Sequence, residues 1–164
     1  MRAAQNSQKR PPLVIVGVLG HAPDHAAELR AAAKGLNVHF VPLVAEQPVL
    51  LGMLRSAGAF LFPSGSEGMS MMLLEALAYG GPVVASDIPA NRDVIAGSAE
   101  LVPAGDVDAW VRALSGLRDA ADEDPAACRA VAQQRTLEAF DWERVTRAYQ
   151  DLYERLLGRP PRCE

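Results

Sequence analysis

Short apolar runs rich in β-branched residues alternate along this chain with longer segments of helical periodicity, and this alternation most constrains the fold. The pattern predicts strands over residues 13–17, 37–40, 59–62, 83–85 and 99–102. It predicts helices over residues 23–34, 47–57, 70–79, 91–95, 106–121, 125–140 and 142–157. Such an order predicts an α/β, Rossmann-like fold, in which an open parallel sheet carries helices on both faces.

The length of 164 residues fits a single domain with a substantial core. We expect a polar N-terminal arm over residues 1–12, the Rossmann-like domain over residues 13–157 and a tail over residues 158–164. The net charge of −4 gives no indication of the basic surface that binds nucleic acid. Apolar runs are far too short for a membrane span, and no signal peptide is evident, so we expect a cytoplasmic protein. The cysteines Cys128 and Cys163 lack metal-binding spacing.

Four predicted loops follow strands directly and should therefore share one edge of the sheet. They cover residues 17–22, 41–47, 63–69 and 86–90. Ligands of open α/β sheets bind outside the carboxyl ends of the strands. This edge is therefore the expected ligand site.

Glu75 is the one ionisable acidic or basic residue inside the apolar helix predicted over residues 70–79. It should lie about 7 Å from the helix N-terminus, at 1.5 Å per residue. The free N–H groups there suit a diphosphate, and a carboxylate just beyond them can accept both hydroxyl protons of a ribose. The alternative is a half-exposed glutamate on a core helix. The neighbouring Met69, Met71 and Met72 are expected to pack in the core.

Glu67 precedes Glu75 by eight positions and lies in a polar loop that contains Gly65 and Gly68. Glycine permits close approach of the backbone to a ligand, which would place the Glu67 carboxylate beside it. The alternative is an ordinary strand-to-helix connection with a solvated glutamate.

The two glutamates have informative flanking residues. The run extends from Phe62 to Ile95 and includes Pro63-Ser64, Glu67-Gly68, Glu75 and the sequence Gly-Gly-Pro-Val-Val-Ala-Ser-Asp87. It resembles the donor-binding motif of GT-B glycosyltransferases, and glycosyltransferase family 4 is the nearest match. The resemblance extends over about residues 13–157 and includes Val16-Gly17, the run over residues 101–106 and Asp-Trp-Glu-Arg-Val at residues 141–145.

The resemblance implies a role for each matching residue. Glu67 would be the catalytic residue beside the donor sugar and would bind its hydroxyls, while Glu75 would bind the ribose. Backbone amides of the helix start would meet the sugar and diphosphate, and the nucleobase would lie against a second segment. The remaining substrate-binding residues of the helix start would be Gly68, Met69, Ser70, Met71, Leu73 and Leu74. The segment Phe40–Val44, with Phe40, Val41 and Leu43, would border the nucleobase, and Gly17 is a further substrate-binding candidate.

The resemblance implies the donor-binding half of a retaining glycosyltransferase, which transfers a sugar from a nucleoside diphosphate sugar to an unknown acceptor. No cofactor and no metal are expected, because helix amides and basic side chains would stabilise the leaving group. The family's diphosphate-clamping arginine and lysine lack counterparts, since Lys9 and Arg10 do not match their context. The family's acceptor domain, N-terminal to this one, would be a further domain or a partner chain. The alternative is a non-catalytic nucleotide-sugar-binding module, a split-enzyme half or isolated domain that is inactive without that domain.

Other polar residues favour structural roles. His21 and His25 are four apart, but Pro23 should leave His21 outside the helix, so a capping or solvent-facing role is favoured over metal binding. The polar pattern predicts a turn and helix cap formed by Asp87, Asn91 and Arg92. Asn91 and Arg92 are also minor ligand candidates. The helix over residues 142–157 has an apolar face that would be exposed or would mediate self-association.

Overall fold

The computed structural model describes residues 11–79, 81–95, 99–119 and 125–158. The strands are β1 (Leu13–Val16), β2 (Val38–Val41), β3 (Phe60–Phe62), β4 (Val83–Ser86) and β5 (Glu100–Val102). The helices are α1 (Pro23–Ala32), α2 (Gln47–Ser56), α3 (Met71–Tyr79), α4 (Pro89–Ile95), α5 (Val107–Asp119), α6 (Pro125–Ala139) and α7 (Trp142–Leu156). A short 3-10 turn at Leu19–His21 was not predicted and leaves His21 outside α1 as expected.

The α/β class is confirmed, because strands and helices alternate and every pair of neighbouring strands is parallel. The described strands form two sheets, with orders β1-β2 and β3-β4-β5. The chain divides into two compact units, a first unit of Met1–Leu50 and a second unit of Leu51–Glu164. Each sheet belongs to one unit.

The first unit is a β-α-β crossover with a small interior. Leu13 lies opposite Val38 and Val16 opposite Val41, and α1 connects the two strands. Proline at the first position of α1 suits a helix start, and Gly35 beyond its end has a φ of 78° that favours glycine.

The second unit is organised around β4, whose four residues are all buried. Val83 and Ala85 pack in a core cluster with side chains from helices: Leu54, Leu73, Ala76, Leu77, Val94 and Ile95. Val84, which points to the other face, packs with Val102 of β5 and Ala113 of α5. Helices therefore cover both faces of this sheet, as expected for parallel strands.

Helix α3 buries one stripe only. Leu73, Ala76 and Leu77 are at most 2% exposed, whereas Met71 is 52% exposed. The prediction that the methionines pack in the core is therefore wrong for Met71 and for Met69, which is 57% exposed. An apolar composition on every side of the helix did not reveal which side would lack a neighbour.

Ser70 caps α3. Its Oγ accepts a hydrogen bond from the N–H of Leu73 at 3.3 Å, and the Ser70 side chain is itself buried. This contact satisfies one of the N–H groups that a helix start leaves without a partner.

The turn between β4 and α4 is held by two side chains of α4. Arg92 donates two hydrogen bonds to the Asp87 carboxylate, Nε to Oδ1 at 2.5 Å and Nη2 to Oδ2 at 2.9 Å. Asn91, which is 1% exposed, donates from Nδ2 to the Ser86 carbonyl at 2.8 Å. The predicted structural role of these residues in a turn is confirmed.

The last helix, α7, has no buried residue. Its apolar side chains remain largely exposed, among them Trp142 at 75% and Leu156 at 74%. The prediction of an exposed apolar face is confirmed. Asp141 caps the helix, because its side chain accepts a hydrogen bond from the N–H of Arg144. In the described parts of the chain, no helix has the length and apolar character needed to cross a membrane.

We predict that Ser70→Ala lowers the free energy of unfolding by about 1 kcal/mol, because the helix loses its N-cap acceptor. Urea denaturation measures the change. Ser66→Ala, at an exposed position of the same loop, is the matched control and should change stability far less. Equal stability of Ser70→Ala and the parent chain would contradict the capping role.

We predict a pH effect at the β4–α4 turn. The hydrogen bonds and charge of Arg92 hold the pKa of Asp87 below its ordinary value of 3.8. Because the folded pKa is lowered, the ion pair contributes stability above the unfolded pKa and loses it as the pH falls through the folded pKa. Arg92→Gln should raise the titration midpoint of Asp87, measured by carboxyl NMR shifts. Arg92→Lys keeps the charge and should raise it less, and an unchanged midpoint in Arg92→Gln would refute the coupling.

Candidate functional site

The loop between β3 and α3 presents the Glu67 carboxylate to solvent. The Ser64 hydroxyl donates to Glu67 Oε1 at 2.7 Å and also lies 3.2 Å from the Ser66 carbonyl. The hydroxyl has one proton, and the charged acceptor at the shorter distance makes the stronger bond. Ser64 therefore fixes the orientation of Glu67 while leaving its second carboxylate oxygen available.

The same loop leaves space above its backbone. A Cβ added at Gly65 or at Gly68 would meet nothing within 4 Å. Met69 is exposed and Ser70 is buried as the cap of α3. A ligand can therefore approach the backbone of this loop closely beside the first turn of the helix.

The first turn of α3 has backbone donors that suit an anion. The N–H of Leu73 bonds to Ser70 Oγ, and the N–H of Leu74 bonds to the Ser70 carbonyl at 3.2 Å. The preceding N–H groups of Met71 and Met72 lie where a helix start has no internal acceptor. Leu73 is 0% exposed, so its side chain belongs to the core rather than to a ligand site.

Glu75 is half-buried in the second turn of α3 and lines a cleft of about 1020 Å³. Met71, Leu74 and Ala78 belong to the same helix face and line the cleft with it. The end of α6, the connection after it and α7 as far as Asp151 form its other walls. Glu75 therefore has access to a cavity, and its partial exposure also fits the alternative of a half-exposed glutamate on a core helix.

Acidic groups outnumber basic groups around this cleft. Its charged lining residues are Glu75, Glu138, Asp141, Asp151, Arg144 and Arg147. Arg144 also donates from Nη1 to the Glu138 carbonyl at 3.3 Å, which joins α7 to the end of α6. Carboxylates accept hydrogen bonds from hydroxyl groups, so the lining suits a ligand rich in hydroxyls.

The α6 and α7 walls of the cleft were not assigned to the site from the sequence. Arg144 and Trp142 both line it, and they belong to the Asp-Trp-Glu-Arg-Val run that carried part of the resemblance. That run was a usable signal. The helical periodicity of α7 describes its apolar face and does not identify which residues border a cavity.

The first unit contains the other four predicted site residues. Gly17 donates its N–H to the Val41 carbonyl at 3.1 Å, so these two residues meet at the carboxyl ends of β1 and β2. Phe40 is half-buried, with the Arg30 guanidinium 4.9 Å from its ring centroid. Leu43 is 66% exposed in the following loop.

The remaining candidate residues make structural contacts or lie at exposed positions. Arg92 donates from Nε and Nη2 to Asp87 and Asn91 donates from Nδ2 to the Ser86 carbonyl, so both side chains take part in the β4–α4 turn. His25 lies at an exposed position 3.5 Å from Glu28, consistent with a solvent-facing residue. In the described residues, no group of three histidine, cysteine, aspartate or glutamate side chains could hold a metal ion.

The sequence matches the family model described as "Glycosyl transferases group 1" over residues 1–119, more than half of the chain. It is 31% identical to the D-inositol 3-phosphate glycosyltransferase of Jonesia denitrificans, over 94% of this chain and 37% of the relative. It is 37% identical to the phosphatidyl-myo-inositol mannosyltransferase of Mycobacterium leprae, over 77% of this chain and 34% of the relative. The chain thus spans little more than a third of these relatives.

Solved structures share the fold. A glycosyltransferase from Rickettsia africae superposes with a TM-score of 0.77 at 17% identity, over 94% of this chain and 42% of that one. HepE from Anabaena, solved with UDP, gives 0.74 at 21% identity, over 94% and 43%. Together with the family match, these similarities confirm the resemblance found in the Glu67–Glu75 motif. The chain belongs to the glycosyl transferases of group 1 and corresponds to a C-terminal-type domain of a GT-B glycosyltransferase.

Proposed function

We propose that residues 13–157 form the donor-binding half of a retaining glycosyltransferase whose donor is a nucleoside diphosphate sugar. The observation that carries this proposal is the position of Glu75, half-buried in the wall of a cleft beside the capped start of α3. At about 1020 Å³ the cleft has the size of a pocket for a ligand as large as a nucleotide sugar.

The proposed roles follow from the chemistry of each group. The Glu75 carboxylate accepts hydrogen bonds from the ribose hydroxyls, where partial burial strengthens them. The diphosphate lies at the start of α3, against the N–H groups of Met71 and its neighbours and the positive end of the helix dipole. Glu67, oriented by Ser64, binds the hydroxyls of the donor sugar.

The proposed reaction moves the sugar from one oxygen to another. The anomeric carbon loses its bond to the diphosphate oxygen and gains a bond to an acceptor oxygen on the same face, while the proton of the acceptor hydroxyl passes to the departing diphosphate oxygen. Negative charge grows on the departing diphosphate, so donors fixed at the start of α3 accelerate its departure. The acceptor binds to a separate N-terminal domain or partner chain.

One solved neighbour, in two complexes, supports a nucleotide-sugar ligand. HepE from Anabaena has structures in complex with UDP and with UDP-glucose. The similarity of HepE to this chain, at 21% identity, concerns the fold. The shared fold makes UDP and UDP-glucose the first probes, with the guanosine and adenosine diphosphates and their sugars as further candidates.

The second candidate function is a nucleotide-sugar-binding module without catalysis of its own. The share of the relatives that the chain spans, 37% for the Jonesia enzyme, favours it, because acceptor-binding parts can lie in the remainder. Release of UDP from UDP-glucose by the 164-residue chain alone, with or without a sugar acceptor, would contradict the non-catalytic reading.

We predict that Glu75→Gln weakens UDP binding about 10- to 100-fold, because a hydrogen bond to a charged group contributes about 1.5–3 kcal/mol. Calorimetric titration with UDP, GDP and ADP measures this change. Glu28→Gln, an exposed glutamate of α1, is the matched control and should bind as the parent does. A folded parent chain with no saturable binding of any diphosphate or its sugar would remove the proposed function.

We predict a different result for Glu67→Gln, because Glu67 contacts the sugar rather than the nucleotide. This variant should bind UDP as the parent does and lose any preference for UDP-glucose over UDP. The ratio of the two dissociation constants is the measurement. If Glu67→Gln and Glu75→Gln change both constants equally, the separate roles are wrong.

A further inference from the structure

Two methionines at the start of α3 are exposed. Met69 is 57% exposed and Met71 is 52% exposed. The other methionines among the described residues, Met53 and Met72, are half-buried, and Met72 packs against the core cluster of the second unit. The thioethers of Met69 and Met71 are therefore accessible to small molecules in solution, while those of Met53 and Met72 are partly covered.

The side of α3 that carries Met71 takes no part in the core. The buried side of the helix is formed by Leu73, Ala76 and Leu77. Met69 lies in the preceding loop, next to Gly68, where an added Cβ would meet nothing within 4 Å. A change in polarity at either sulfur therefore leaves the packing of the core intact.

Both methionines lie at the proposed ligand site. Met71 is the first residue of α3 and lines the cleft together with Glu75. Met69 lies between Glu67 and Ser70, whose Oγ accepts the hydrogen bond that caps the helix. The two methionines thus flank the capping residue, at a helix start whose backbone N–H groups suit an anion.

Oxidation changes the chemistry of a methionine side chain at such a position. The thioether is apolar and is a weak hydrogen-bond acceptor, whereas the sulfoxide is polar. The sulfoxide oxygen carries partial negative charge and accepts hydrogen bonds strongly. At a helix start it competes for the backbone N–H groups and repels an anionic ligand that needs them.

We propose that Met69 and Met71 form an oxidation site, at which hydrogen peroxide converts the thioethers to sulfoxides and thereby weakens the binding of nucleoside diphosphates. The effect on binding rests on the proposed function of the cleft, whereas the selective oxidation of these two residues does not.

The oxidation is a two-electron transfer from each sulfur to one molecule of peroxide. A sulfur–oxygen bond forms as the O–O bond breaks. The proton of the transferred oxygen passes to the departing hydroxide, which leaves as water. Reductases specific for each epimer of methionine sulfoxide restore the thioether, so the change is reversible.

The experiment treats the full 164-residue chain with hydrogen peroxide and follows each methionine by mass spectrometry of fragmented peptides. We expect Met69 and Met71 to be oxidised about fivefold or more faster than Met53 and Met72, because oxidation follows exposure. Saturating UDP should slow the oxidation of Met71, which lines the cleft, and should leave that of Met53 unchanged.

Calorimetric titration compares UDP binding before and after peroxide treatment. We expect the affinity to fall about tenfold, since the sulfoxides weaken charge-assisted hydrogen bonds to the diphosphate. Treatment with both sulfoxide reductases should restore it. The circular dichroism of the oxidised chain should equal that of the reduced chain, and a loss of helix signal would contradict an effect confined to the site.

Matched variants assign the effect to these two side chains. Met69→Leu with Met71→Leu removes both sulfurs at similar volume and apolarity. Whatever the starting affinity of this variant, its UDP dissociation constant should be the same before and after peroxide. Met53→Leu removes a half-buried sulfur from α2 and should lose UDP affinity on oxidation as the parent chain does.

The inference is wrong if Met53 or Met72 is oxidised as fast as Met69 and Met71, or if bound UDP leaves the oxidation of Met71 unchanged. It is equally wrong if a chain with both sulfoxides binds UDP as tightly as the reduced chain, or if the double leucine variant is as sensitive to peroxide as the parent. These results leave the proposed function standing, because the reduced chain still binds UDP. A reduced, folded parent chain that binds no diphosphate would instead remove the proposed function and the effect on binding together.

Discussion

The burial of β4 on both faces is the constraint on which the second unit depends. Val83 and Ala85 pack under α2, α3 and α4, while Val84 packs under α5. Because β3 and β5 bond to its two edges, β4 has no direction in which it can shift without breaking contacts. The loop before α3 and the turn after β4 are therefore attached to a rigid element, which is what a binding site requires.

Helix α3 connects this core to the candidate site. Its buried stripe fixes the helix against the sheet, and its opposite side, with Met71 and Glu75, borders the cleft. A charged carboxylate is costly to bury without partners, so Glu75 belongs on the side that solvent reaches. The leucine and alanine side chains of α3 thus pack in the core. Its other side and its start present a glutamate and backbone amides to a ligand.

The sequence predicted the helices and strands well, because hydrophobic periodicity and the glycine, proline and capping residues at element ends are local properties of the chain. Every predicted strand and helix exists, and the described ends differ by one or two residues, as at β2 and α4. The predicted end of the helix over residues 106–121 lies outside the described residues. The Ser70 cap and the Asp87–Arg92 turn were also readable from residue type and spacing. Other features depend on which elements become neighbours. These are the exposure of Met69 and Met71, the division into two sheets and the α7 wall of the cleft. Periodicity does not encode that information for a chain that spans a third of its relatives.

The first unit has a further consequence for binding. Ala26, at 8% exposed, is its one buried residue within the part of the chain that the structure describes, whereas the second unit holds both core clusters. Because local opening costs least where little apolar surface is buried, we expect the first unit to open more readily than the second. Any ligand that needs Gly17 and Val41 in place must bind the ordered fraction. Its apparent affinity then measures the folding equilibrium of the first unit as well as the contacts at the site.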